Sequence, residues 1–387
     1  MSIEVAMKVG APGVPGASGS NAATQGAAAV AGGAPAEPRR RKPMLAYVHA
    51  FRAAAILFIV AGHCVRLFDW SGTPRVELFL LDALENGTVL FVFIAGYLFE
   101  YLADRFNYRD YLRTKLRNVI APYLIIMIPA LVHDVWLVDA SIANPRLAGE
   151  HALYQAAWHL LVGGAGINFP MWFIPMIALY YVAAPIFMLI ARRPVLFWSI
   201  PLLLVLSTLL HRPSPLRLDT LIQAAYYLCA YVTGMWVSRN RDVVEPWLRR
   251  HWLPICAAVA VMIVAQWRWG PFHGNYNSLG SFSREHGWID WLFLQKLLMC
   301  FAFIGFLGRW YTRSIPLVDR VADLSFPIFF VHAYFIFLQE KLYPFGQAPG
   351  GLAGYLVTVV SVTAASLLLV MGIRKLAGER SRWIIGA

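Results

Sequence analysis

The chain has 387 residues, of which 59% are hydrophobic and only 14% charged, and its mean hydropathy is +0.57. A soluble domain carries about 25% charged residues, so the composition excludes an ordinary soluble enzyme. The net charge of +12 would suit a nucleic-acid binder, but the cations collect in alternate loops between apolar segments, the positive-inside pattern of a membrane protein.

Residues 1–43 are rich in Ala, Gly and Pro and close on the basic run Arg39–Lys42. No short apolar core with a cleavage site precedes that run, so it reads as a disordered cytoplasmic tail with a basic collar and not as a secretory signal. Ten apolar segments follow, at about 45–66, 82–102, 118–138, 171–190, 195–210, 220–238, 252–268, 289–308, 321–340 and 352–373. Most are long enough for a hydrocarbon core of about 30 Å. The expected fold is all-α: a polytopic bundle over 44–376 with both termini cytoplasmic and a short basic tail at 377–387.

The first segment holds Arg52 and His63, eleven residues apart. Eleven steps of about 100° return to nearly the same helix face, about 16 Å further along the axis. Ionisable groups at membrane depth line polar cavities or pathways. Arg52 is either an anchor that snorkels to the interface or a holder of an anionic group. His63 is either a packing residue or a base. Asp82 and Glu85 open the second segment level with the His63 end, where a carboxylate can orient an imidazole. The loop before the third segment carries Arg109, Arg113, Lys115 and Arg117. The three arginines repeat at i, i+4, i+8 and form one basic stripe, either plain positive-inside charge or a cradle for phosphates.

Further on, His159, Trp172 and Tyr180–Tyr181 gather around the start of the fourth segment. The outward loops 139–170 and 269–288 mix aromatics with Asn, Ser and Gly, a composition that fits sugars or simply a wet interface. Lys296 lies inside the eighth segment without an evident partner. In the ninth, Ser325 and His332 stand two turns apart on one face. The four cysteines all fall in apolar segments and read as packing residues. No nucleophile elbow, phosphate-binding loop, metalloprotease helix or dinucleotide fingerprint is present, and no metal site is expected.

Together these pieces resemble the acyltransferase-3 family of integral membrane enzymes. The Arg-x10-His helix appears as Arg52-AAAILFIVAG-His63. The apolar-aromatic run of the second helix appears as Val89-LFVFIAGYLF-Glu100, with Ala95 where the family has Ser. The basic turn closing in Pro-Tyr is Lys115-LRNVIAP-Tyr123, the fourth helix matches over Trp172–Pro185, and the late motif is Ser325-FPIFFV-His332, with Phe326 for Tyr.

The resemblance spans about Met44 to Lys375. It implies transfer of an acyl group, most simply acetyl and alternatively succinyl, from cytoplasmic acyl-CoA to a hydroxyl of an envelope or lipid-linked glycan. In that frame His63, Glu85 and His332 are the catalytic candidates. Arg52, Arg113, Lys115 and Arg117 are the candidates for the CoA phosphates, and Trp172 and Ser325 for substrate. The expected partners are the glycan acceptor and membrane lipids, with no nucleic acid. The excess of Arg over Lys points to a bacterial inner membrane. The rival class, an exporter or flippase of glycans, would use the same polar cavity, but the chain carries no inverted repeat.

Overall fold

The computed structural model describes residues 45–137, 147, 149–162, 166–212, 219–270, 273–274, 287–343 and 346–386. The expected tail at 1–43 lies outside them. Every named element among the described residues is helical. In chain order these are α1 (Ala46–Cys64), α2 (Pro74–Leu84), α3 (Thr88–Tyr101), α4 (Tyr108–Lys115), α5 (Ala121–Leu131) and α6 (Ala152–Leu161). They continue with α7 (Phe173–Val182), α8 (Ala184–Arg192), α9 (Ile200–Leu210), α10 (Thr220–Arg239), α11 (Arg241–Arg250) and α12 (Trp252–Trp269). The last are α13 (Trp291–Trp310), α14 (Pro316–Asp323), α15 (Ser325–Leu342), α16 (Gly351–Ala377) and α17 (Ser381–Ile384).

Among the described residues, six stretches are long and apolar enough to cross a membrane, and up to eight if each of two bent pairs counts as one span. The expectation of ten spans is therefore not met by length and apolarity. The shortfall has two sources. Pro194–Leu210 is apolar but short. Helix α10 is long enough, but Gln223 and its tyrosines make it less apolar, because it sits inside the bundle, where Tyr226, Tyr227 and Tyr231 are buried. The bent pairs are α7–α8, turning by 55° within Phe169–Arg192, and α14–α15, turning by 78° at Leu324.

Helix α1 is the hub and packs on α3, α13, α14, α15 and α16. Its alanines at 50, 53 and 55 are buried and let these neighbours approach closely. The densest helix pair is α3 with α10. A Cβ at Gly96 would stand 2.0 Å from the Tyr231 carbonyl oxygen, and one at Gly234 would stand 2.1 Å from that of Phe93. Only glycine permits this reciprocal backbone contact.

Between α2 and α3 the chain breaks at Glu85–Asn86–Gly87. Asn86 adopts φ +60°, a left-handed conformation that asparagine tolerates better than most residues. Its amide donates to the Tyr226 hydroxyl at 2.7 Å and accepts from the Tyr227 hydroxyl at 2.7 Å. Beyond α16 the short helix α17 packs against α5, and Ile385 is buried.

Candidate active site

The polar core of the bundle is the seam between α1 and α15. It has two rungs. At one end Arg52 Nη2 donates to Ser325 Oγ at 3.2 Å. At the other, His63 Nδ1 lies 2.9 Å from His332 Nε2, with the two rings stacked at 5.2 Å between centroids. Two cross-links in the same order require the two helices to run parallel. Eleven residues of α1 lie opposite seven of α15, a mismatch of about 6 Å at 1.5 Å per residue. The long Arg52 side chain reaches Ser325 across that difference. Arg52, Ser325 and His332 are buried, and His63 is half-buried.

The hydrogen bonds assign the tautomers. His332 Nδ1 faces the Phe329 carbonyl at 2.8 Å and the Ile328 carbonyl at 3.3 Å. Both are acceptors, so this nitrogen carries the proton and donates to its own helix. In a neutral ring His332 Nε2 is then an acceptor, and His63 Nδ1 donates to it. His63 Nε2 is left with its lone pair outward, the form a general base needs.

The end of the seam around His63 is walled by one short segment. Gly166–Trp172 forms a single 3-10 stretch. Its Phe169 meets the His63 ring edge-on at 4.9 Å. Its Trp172 stacks on Tyr227 at 5.8 Å and lies under the Arg212 guanidinium at 5.6 Å. Buried Asp134 pins the start of the segment, accepting from the Ile167 amide at 3.2 Å and from His133 Nδ1 at 2.8 Å. Gly166 sits at φ +76°, and a Cβ there would fall on the Asp134 carboxylate. His159 is buried beside this anchor; burial holds its pKa below the ordinary imidazole value, and the Asp134 charge opposes that shift.

Other candidates lie elsewhere. Glu85 does not orient His63: its carboxylate accepts from Arg66 Nη2 at 2.8 Å, and the position expected for it on the imidazole is filled by His332. The chain break at Glu85–Gly87 turns that carboxylate towards the Arg66 side. Asp82 accepts from His273 Nδ1 at 2.7 Å. Lys296 donates to the backbone oxygens of Asp82 and Ala83, so its ammonium caps the carbonyl end of α2.

The basic stripe also breaks up. A π-helical stretch at Leu116–Ile120 follows α4 and shifts the register that the i, i+4, i+8 spacing assumes. Arg113 is exposed, and Arg117 lies 5.7 Å over the Trp383 ring. Lys115 is the one that turns inward. It is buried between the rings of Tyr111 and Tyr181, at 5.2 and 4.9 Å, close enough to Arg52 for the two positive charges to act on each other. The start of α15 adds the positive end of a helix dipole at Ser325. An anionic ligand fits the donors gathered here. Among the described residues no group of His, Cys, Asp or Glu is placed to hold a metal.

The site thus pairs an imidazole at one end of a membrane seam with buried cationic side chains at the other. The acyltransferase domain family matches residues 45–373, most of the chain. This protein belongs to the acyltransferase-3 family. No curated protein and no solved structure matches it. As a family member it is a multi-pass membrane O-acyltransferase, and both rungs of the α1–α15 seam lie within the matched region.

Sequence reasoning missed Phe169, Arg212 and Asp134. Phe169 precedes a proline and reads as loop. Arg212 follows α9 in a turn where His211 adopts φ +51°, a conformation that sequence pattern does not report.

Proposed function

We propose that this acyltransferase moves an acyl group, most simply acetyl, from cytoplasmic acyl-CoA to a hydroxyl of an extracytoplasmic or lipid-linked glycan, in a bacterial inner membrane. The observation that carries the reading is the His332–His63 pair, which leaves His63 Nε2 unprotonated at one end of a seam whose other end is cationic. All ten segments are taken to cross the bilayer, with both termini and the Arg52 end on the cytoplasmic side.

In this reading His63 Nε2 takes the proton of the acceptor hydroxyl as that oxygen attacks the thioester carbonyl. The new carbon–oxygen bond forms, the carbon–sulfur bond breaks, and His63 returns the proton to the departing thiolate. His332 is a positioning residue: it fixes the tautomer of His63 and accepts from Nδ1–H when the ring becomes imidazolium. Arg52, Lys115 and the first turn of α15 hold the phosphates of the donor. Ser325 orients the Arg52 guanidinium. Trp172 and Phe169 shape the acceptor side.

Acetyl-CoA consumption by the detergent-purified full chain, with a panel of glycan acceptors, tests this. Turnover in the wild type and none in His63→Ala is the expected result. Wild-type turnover by His63→Ala, or none by the wild type with acetyl-CoA or succinyl-CoA, would contradict it.

A further inference from the structure

A cavity of about 500 Å³ opens between α14 and the last turns of α16. Arg320 lines it from one wall and Arg374 and Lys375 from the other, with Leu324 and Met371 as its apolar part. Its inner edge is the α14–α15 elbow. Leu324 belongs to the cavity, and the next residue, Ser325, carries the Arg52 guanidinium. The cavity and the cationic end of the seam are therefore adjacent.

Three cations and two carboxylates line the cavity, so its formal charge is +1. Both carboxylates have partners within the protein. Asp323 pairs with His49 Nε2 at 3.1 Å, and the charges of Arg52 and Arg374 both act on it. Asp319 accepts from the hydroxyls of Tyr311, at 3.0 Å, and Ser314. Cations in the last turn of a helix complement its dipole, and basic residues at a membrane boundary anchor topology. Those ordinary roles account for Arg374 and Lys375 but not for Arg320, on a different helix, facing the same concavity. Nor do they account for the concavity itself, an open cleft between the two helices.

The protein thus offers two clusters of cations: Arg52 with Lys115 inside the bundle, and Arg320 with Arg374 and Lys375 at the rim. A coenzyme A thioester carries two separate anionic groups, a diphosphate and a ribose 3′-phosphate, on either side of its ribose. We propose that the cavity between α14 and α16 seats the adenosine 3′-phosphate end of the donor, with Arg320, Arg374 and Lys375 around that phosphate, so that the diphosphate meets Arg52. The half-buried Met371 takes the adenine face. This inference rests on the acyl-CoA reading above and adds Arg320, Arg374 and Lys375, which the sequence did not single out.

Binding of CoA and of dephospho-CoA to the purified full chain separates the two claims. The wild type is expected to bind CoA about tenfold or more tightly than dephospho-CoA, the effect of one lost charge-assisted contact set. The double variant Arg374→Ala/Lys375→Ala, and separately Arg320→Ala, should weaken CoA by a similar factor and leave dephospho-CoA within about twofold. Unchanged melting temperatures confirm that both variants fold. If the wild type binds CoA and both variants bind it equally well, the cavity assignment falls and the acyl-CoA reading stands. If the wild type binds neither ligand, the acyl-CoA reading itself falls. Displacement of CoA by phosphatidylglycerol, abolished in the double variant, would give the cavity to a lipid phosphate and overturn the proposal.

Discussion

Two helix seams with opposite chemistry meet at α1 and α3. Along α3–α10 the backbones touch through Gly96 and Gly234, and neither position leaves room for even a methyl group. Along α1–α15 the helices are joined through side chains, Arg52 to Ser325 and His63 to His332. In a bilayer, close packing of small residues and interhelical hydrogen bonds are the two main ways to hold helices together. The first produces a rigid wall. The second keeps polar groups at membrane depth, where chemistry can use them. The difference separates two parts of the family resemblance: Gly96 packs against α10, whereas the Arg-x10-His helix carries polar side chains bonded across the α1–α15 seam.

Perturbing each seam in turn sharpens this contrast. The largest expected effect is on His63. His63→Ala should lower acyl transfer by roughly 10²–10⁴-fold, the range for loss of a general base, without changing the melting temperature by more than a few degrees.

His332 comes next. His332→Ala leaves His63 free to adopt either tautomer, so the turnover number should fall by roughly tenfold to a hundredfold while the donor KM stays put. His332→Gln, whose side chain can still accept from His63 Nδ1–H, should recover part of that loss. Equal loss in both variants would mean that His332 only fills space.

On the glycine seam the readout is reversed. Gly96→Ala forces a Cβ into the Tyr231 carbonyl and should destabilise the protein by about 1–3 kcal/mol, as overpacking does. Melting temperature and the monodisperse fraction should drop together, with turnover per folded molecule nearly unchanged.

The smallest effect belongs to Ser325→Ala. It removes one acceptor from Arg52 and should raise the donor KM by roughly threefold to tenfold, consistent with about 1 kcal/mol for one net hydrogen bond.

What the sequence made legible was periodicity on single helices. Arg52 and His63 share a face, as do Ser325 and His332, and both inferences need only the helical repeat. That the two faces meet, rung by rung, is tertiary, and no local pattern encodes it. The errors also have local causes. Glu85 stands level with His63 in a continuous helix, but the left-handed Asn86 breaks that helix and Glu85 pairs with Arg66. The arginine stripe assumes 3.6 residues per turn, and the π-helical stretch after Lys115 moves Arg117 off that register; Lys115 faces inward because it lies two residues, about 200°, from the exposed Arg113. The span count is a different matter: length and apolarity alone mark six to eight spans among the described residues and leave ten unconfirmed. Helix α10 is a buried helix whose tyrosine hydroxyls tie α3 and α13 together through Asn86 and Asp290, and that role lowers its hydropathy.

The most direct test of the central claim is the rate of acetyl-CoA consumption by purified wild type and His63→Ala, measured side by side with CoA binding to both. The account predicts that His63→Ala binds CoA as the wild type does and transfers nothing measurable. Full transfer by His63→Ala would remove the imidazole from the chemistry and contradict the account.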